Sequence, residues 1–304
     1  MKITASAPGK VILIGEHSVV YGEPAIAAAI DRRTTVVLET CEKSLISLKS
    51  LIKSDSISEI PILYKETWTF DPVFPTEDKS LRSAAKTACN AIVFGLNKLE
   101  ISKDLKFSIT VESDIPIGAG LGSSAAFCVA LAEVLLRISG NYKLKIDELA
   151  NSLEAFFHEN PSGVDTMVCK HGGLVAFAKG IRNELITENL KVNEIIRNNF
   201  KITIVNTNIA RSTKAMVKKV RLNFEKNVEF VRSTCQAITA LVNQYKQSLE
   251  IGSVDELEGV MEKCHHLLNS LGVGHNSIDF AHSLAKNKYN KILKTTGAGG
   301  GGCI

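Results

Sequence analysis

The chain has 304 residues, of which 45% are hydrophobic and 22% charged, with a formal net charge of +4. That length suits about two domains at ~150 residues each, and the composition is that of an ordinary soluble globular protein. The charge is scattered instead of blocked, which argues against a nucleic-acid-binding protein and suits a small anionic substrate such as a nucleotide or a carboxylate.

Seven cysteines show no C-x-x-C pair and no small disulfide framework, so free thiols in a reducing compartment are expected. The N-terminus lacks the apolar core of a signal peptide. The longest apolar helical pattern, around 125–138, is interrupted by Glu133 and is too short to span a bilayer. A cytoplasmic protein with no membrane segment is expected.

In chain order, a turn at Pro8-Gly9 is expected to lead into a short buried strand from Val11 to Ile14, after which Glu16 and His17 restore polarity. Alone, Lys10 reads as a solvated turn lysine and His17 as a hydrogen-bonded structural histidine. Residues 35–40 and 45–48 read as strands, and 49–80, with Ser54-Asp55-Ser56, Pro72 and Pro75, as irregular and loop-rich. Trp68 within it is read as a core residue or one beside a ligand. Residues 81–99 carry Ala84, Ala88, Ala91, Ile92 and Leu99 at helical spacing.

The most informative stretch follows. Phe107, Ile109 and Val111 alternate with polar residues, the pattern of a strand with one buried face. Phe127, Leu131, Val134, Leu135 and Ile138 then recur at helical spacing, so a buried helix begins near Ser123 or Ser124. Between them lie Gly118, Gly120 and Gly122, three glycines in five residues. Glycine permits positive φ and close backbone approach to a ligand, and a helix N-terminus favours an anion. The segment reads either as a phosphate loop or as a tight strand-to-helix turn. It is neither a Walker A loop, since Gly122 is followed by Ser123 and not Lys, nor a dinucleotide fingerprint.

Asp147 is expected to cap a helix carrying Leu149, Leu153, Phe156 and Phe157 that ends at Pro161. Glu154 lies one residue round from its apolar stripe, and a partly buried carboxylate usually has a partner. Asp165 follows an Asn-Pro-Ser-Gly turn that can hold it rigidly. Residues 201–207 read as a strand opening a second domain. A helical stripe through Met216, Val220, Phe224, Val228 and Val231 continues with Ile238, Leu241, Val242 and Tyr245. Ser253 with Glu256 makes a capping box for a helix over 254–271 that Gly272 ends. His265 and His266, being adjacent, point to different sectors, which argues against a two-histidine metal site. Five glycines in six residues at 297–302 read either as a flexible tail or as a second backbone loop near a ligand, leading into a strand at Cys303-Ile304.

Three of these segments, in order, resemble the three motifs of the GHMP small-molecule kinase superfamily: Pro8-Gly9-Lys10 with Gly15-Glu16-His17, then Pro116 to Ala126, then Thr296 to Gly302. Within it the chain most resembles the mevalonate kinase family, through Gly15-Glu16-His17-Ser18-Val19-Val20-Tyr21-Gly22, Asn160-Pro161-Ser162-Gly163-Val164-Asp165, and Leu271-Gly272-Val273-Gly274-His275-Asn276-Ser277. Galactokinases carry a different run after Glu-His, and phosphomevalonate kinases usually lack the histidine.

The resemblance implies an α+β (α/β) two-domain GHMP kinase fold. A ribosomal-S5 domain-2-like N-terminal ATP-binding domain, with a left-handed crossover, would cover 1–198, and a ferredoxin-like C-terminal domain 199–304, with the active site between them. Family members continue past the third motif, so the second domain is expected to be truncated, incomplete at its C-terminus. The implied activity is ATP- and Mg²⁺-dependent phosphorylation of the C5 hydroxyl of mevalonate to 5-phosphomevalonate, in isoprenoid and sterol precursor synthesis. The alternatives are another GHMP small-molecule kinase and a catalytically silent truncated member. By the same resemblance Gly118, Ala119, Gly120, Leu121, Gly122, Ser123 and Ser124 would wrap the ATP phosphates, with Lys10 and Ser113 also at the nucleotide. Ser124 and Glu154 would ligate Mg²⁺, and Asp165 would be the catalytic base, paired with Lys10. Glu16, His17, Thr213 and Arg211 would line the mevalonate site, and a homodimer is suggested. These roles make physical sense: phosphoryl transfer needs positioning and charge stabilisation, oxygen ligands suit Mg²⁺, and a carboxylate beside a lysine suits a proton acceptor.

Overall fold

The computed structural model describes residues 1–50, 56–71, 74, 76–141, 143–158, 163–179, 185–209 and 213–304. The strands are β1 (Lys2–Ile14), β2 (Ala25–Thr40), β3 (Leu45–Ser50), β4 (Ser56–Tyr64), β5 (Trp68–Phe70), β6 (Phe107–Ser113), β7 (Leu174–Lys179) and β8 (Leu185–Asn189). The helices are α1 (Lys79–Lys98), α2 (Ser123–Ser139), α3 (Ile146–Glu154), α4 (Val164–His171), α5 (Glu194–Asn199), α6 (Thr213–Lys226), α7 (Val228–Ile251), α8 (Val254–Ser270) and α9 (Asn276–Tyr289). No helix among the described residues is long and apolar enough to cross a membrane. The residues form two compact units that interleave along the chain.

The first unit comprises Met1–Lys10, Ile30–Ile117 and Gly122–Gly172. Its strands run in the order β5-β4-β3-β6-β2. β6 pairs antiparallel with β2, from Thr34↔Ser113 to Thr40↔Phe107, and parallel with β3. Phe107, Ile109 and Val111 are buried as their alternation requires. Against this framework α2 is buried nearly all round, and its small residues Ala125, Ala126, Ala130 and Ala132 permit close approach of neighbours. Its first residue, Ser123, is where the sequence places the helix start.

Four expectations change in this unit. β1 runs unbroken through Pro8-Gly9, so there is no turn there; β1 pairs with β2 alone among the described residues, which lets Pro8 forgo one ladder donor. The region 49–80 holds β4 and β5, not only loops, although residues 51–55, Pro72 and Pro75 lie outside the described residues. Trp68 there is core, the first of its two expected readings, its Nε1–H donating to Ile101 O at 2.9 Å. Finally, α3 stops at Glu154, short of Phe156 and Phe157, whose amides enter turns; Phe157 N–H donates back to Glu154 O. Lys145, not Asp147, precedes α3, and Asp147 instead pairs with Lys170 at 2.6 Å. Asn160, Pro161 and Ser162 lie outside the described residues.

The second unit comprises Val11–Ala29, Gly118–Leu121 and Gly173–Ile304. Here β7 pairs antiparallel with the first part of β2, Ala25↔Phe177 to Ala28↔Leu174, and with β8. The long helical stripe is broken at Asn227, whose side chain accepts from Phe230 N–H and caps α7. α8 begins at the expected Ser253 cap, which accepts from Glu256 N–H. Residues 201–207 form only an isolated antiparallel bridge, Asn206↔Cys303, flanked by Val205 and Ile304 exchanging backbone hydrogen bonds. Cys303-Ile304 therefore pairs as expected, but too briefly for a strand. The glycines at 297–302 are no flexible tail. A Cβ at Gly299 would meet Val273 O at 2.3 Å and one at Gly301 would meet Ile209 O at 2.8 Å, so this packed turn excludes side chains.

Candidate active site

Within the first unit, four elements bring four expected residues together. Lys10 ends the stretch of β1 in this unit, Ser124 opens α2, and Glu154 and Asp165 end α3 and begin α4. The Lys10 ammonium lies 2.9 Å from Asp165 Oδ1, with the lysine buried and the aspartate about a third exposed. Ser124 Oγ donates to Glu154 Oε1 at 2.7 Å. Glu154 Oε2 is buried and has no hydrogen-bond partner among the described residues, a costly state for a carboxylate oxygen. Burial pushes the Glu154 pKa up to about 7, with the nearby Asp165 charge adding, against hydrogen bonds from Ser124 and Cys128 and the Lys10 charge. His158, one turn on, places Nε2 3.4 Å from Glu154 Oε1.

Gly118, Gly120 and Gly122 all take positive φ, as the loop reading requires. Gly122 is the N-cap of α2, and a Cβ there would strike Lys10 Cγ at 2.9 Å, so the lysine stem runs directly under this glycine. Ser113, at the end of β6, shares a 2.8 Å hydrogen bond with Thr34 Oγ1 across the sheet. Ser123 and Ser124 are half-buried in the first turn of α2, where the amides have no intrahelical acceptors.

Glu16 and His17 lie in the second unit and are nearly fully buried. Glu16 Oε1 forms an ion pair with Lys294, and Cys264 Sγ approaches Glu16 Oε2 at 3.9 Å. His17 Nε2 lies 3.0 Å from Ala298 O, in the glycine-rich turn. Thr213 is exposed as the first residue of α6; Arg211 lies outside the described residues. Sequence reasoning missed Lys294, Cys264 and Cys128. Lys294 had a faint signal, a lone charge between Leu293 and two threonines just before the glycines.

Among the described residues no three His, Cys, Asp or Glu side chains form a metal cluster. An oxygen pair such as Ser124 and Glu154 still fits a hard cation that keeps waters and shares phosphate ligands, and the unpartnered Glu154 oxygen is the atom such an ion would satisfy.

The model for the N-terminal domain of GHMP kinases matches residues 83–173, a range that holds the glycine loop, Ser124, Glu154 and Asp165. A galactokinase galactose-binding signature matches residues 2–40. The mevalonate kinase of Thermococcus sibiricus is 34% identical over 100% of this chain and 88% of its own length. That of Mus musculus is 33% identical over 99% and 85%. The crystal structure of Methanococcus jannaschii mevalonate kinase superposes with a TM-score of 0.73 at 27% identity, covering 100% of this chain and 89% of that one. The chain belongs to the mevalonate kinase family.

Proposed function

We propose that the chain transfers the γ-phosphoryl group of ATP to the C5 hydroxyl of mevalonate, yielding 5-phosphomevalonate and ADP. The observation that carries this reading, beside the family, is the 2.9 Å Lys10–Asp165 pair set against the Ser124–Glu154 pair. Asp165 accepts the hydroxyl proton as the substrate oxygen attacks the γ-phosphorus and the bond to the ADP oxygen breaks. Lys10 holds Asp165 in place and offsets negative charge on the transferring group.

Residues Gly118 to Ser124 hold the phosphates through backbone amides and the α2 N-terminus, with Ser113 at the nucleotide. Ser124 and Glu154 hold Mg²⁺, which when bound neutralises phosphate charge. By the family resemblance, His17 and Thr213 serve the mevalonate side. The inward partners of Glu16 support a role behind the substrate rather than against it. All seven cysteines are unpaired, which supports a reducing, cytoplasmic setting.

Galactose is the competing substrate favoured by the signature over residues 2–40. Asp165→Asn tests the mechanism. Mevalonate-dependent ADP release is expected to fall roughly 10²–10⁴-fold, the usual worth of a general base, while ATP binding measured by calorimetry is unchanged. Near-parental turnover in the variant would remove Asp165 from the chemistry.

A further inference from the structure

We infer that Lys294 is a positioning residue for the turn at His17, acting through its buried ion pair with Glu16. The kinetic half of the test below rests on the mevalonate reading; the structural half does not.

His17 has φ 61° and ψ −45°, and Ser18 N–H donates to Glu16 O at 2.7 Å across it. This is a three-residue γ-turn of the hand that residues with a Cβ avoid. Such a conformation persists only where its surroundings over-determine it. Prominent among the surroundings here is one stretch, Lys294–Ala298. Lys294 pairs with the Glu16 carboxylate before the turn and also donates to Thr295 O at 2.6 Å. Thr296 Oγ1 donates to Ile12 O at 2.9 Å and accepts from Ile12 N–H at 3.1 Å. Ala298 O meets His17 Nε2 at 3.0 Å. The strained position and two residues that lead into it, Ile12 and Glu16, are thus fastened to the same five-residue stretch.

The ion pair is the anchor of this arrangement. Its side chains are 0% and 2% exposed for Glu16 and Lys294, and an apolar pair of similar volume would pack such a site at least as stably. What a buried pair adds is direction: the ammonium fixes where the carboxylate, and hence the backbone entering the turn, can sit. From α8, Cys264 Sγ meets Glu16 Oε2 at 3.9 Å and the His265 ring meets Thr295 N at 3.5 Å.

Lys294→Met alone strands a buried carboxylate and is expected to destabilise the fold, so the decisive variant is Glu16→Gln/Lys294→Met, which removes both charges at similar volume. Its melting temperature is expected to stay within a few degrees of the parent. Hydrogen exchange of peptides covering 11–23 is expected to quicken at least tenfold, with exchange over 123–139 unchanged. The KM for mevalonate is expected to rise about tenfold and the KM for ATP to stay put. Parental exchange over 11–23 in the folded double variant overturns the inference, as does a KM for mevalonate equal to the parent's. If the parent itself turns over no mevalonate, the substrate reading fails, and the exchange measurement alone decides the role of Lys294.

Discussion

Glu154 shows what burying one carboxylate does. Nearly all its surface is gone, and with it the hydration that stabilises the ionised form, so its pKa is pushed up from an ordinary 4.5 to about 7. The folded chain therefore holds this proton more tightly than the unfolded chain does. The Glu154 contribution to stability is full below about pH 4.5, is lost as pH rises toward about 7, and stays lost above it. The difference corresponds to roughly 3 kcal/mol. Urea denaturation of metal-free wild type and Glu154→Gln checks this. The advantage of the Gln variant over wild type should grow by most of that amount between pH 4.5 and pH 8, and a difference that does not change with pH would contradict the assignment.

At the scale of elements, the loop entering α2 joins backbone strain to packing. Gly118 and Gly122 have similar positive φ, 74° and 71°, so alanine at either should cost about 1–2 kcal/mol in conformation. A Cβ at Gly118 meets nothing within 4 Å, whereas one at Gly122 drives into the Lys10 stem. Gly122→Ala should therefore lose about 1–3 kcal/mol more than Gly118→Ala, the cost of overpacking, as read by thermal denaturation. Equal losses would show that Lys10 does not run beneath Gly122.

The same elements show what a sequence makes legible. Strand, loop and helix from Phe107 to Ser139 were readable because their signals are local: alternation, positive-φ glycines and helical spacing within a few residues of one another. The first part of β2 was missed because exposed Asp31, Arg32 and Arg33 interrupt its apolar pattern. β4 was missed because Glu59, at φ 59°, sits where the register with β3 shifts. Pairings distant in sequence had no such signal. Glu16 sits in a motif and Lys294 shows only as a lone charge, but they are 278 positions apart, and nothing at either end announces the other. The motifs thus gave the candidate site residues, and only the fold gave the partners of Glu16.

At the scale of the whole molecule, the chain aligns with 88% of the length of a mevalonate kinase such as that from Thermococcus sibiricus. It also carries the galactokinase signature over residues 2–40, so the acceptor alcohol is the central question. The most direct measurement is ADP release from MgATP with mevalonate, galactose and homoserine supplied separately, using Asp165→Asn as the blank. The account predicts turnover with mevalonate, at a kcat/KM at least a hundredfold above either other alcohol, a margin of about 2.7 kcal/mol in transition-state binding. Preferential turnover of galactose or homoserine, or MgATP binding with no turnover of any of the three, would contradict it.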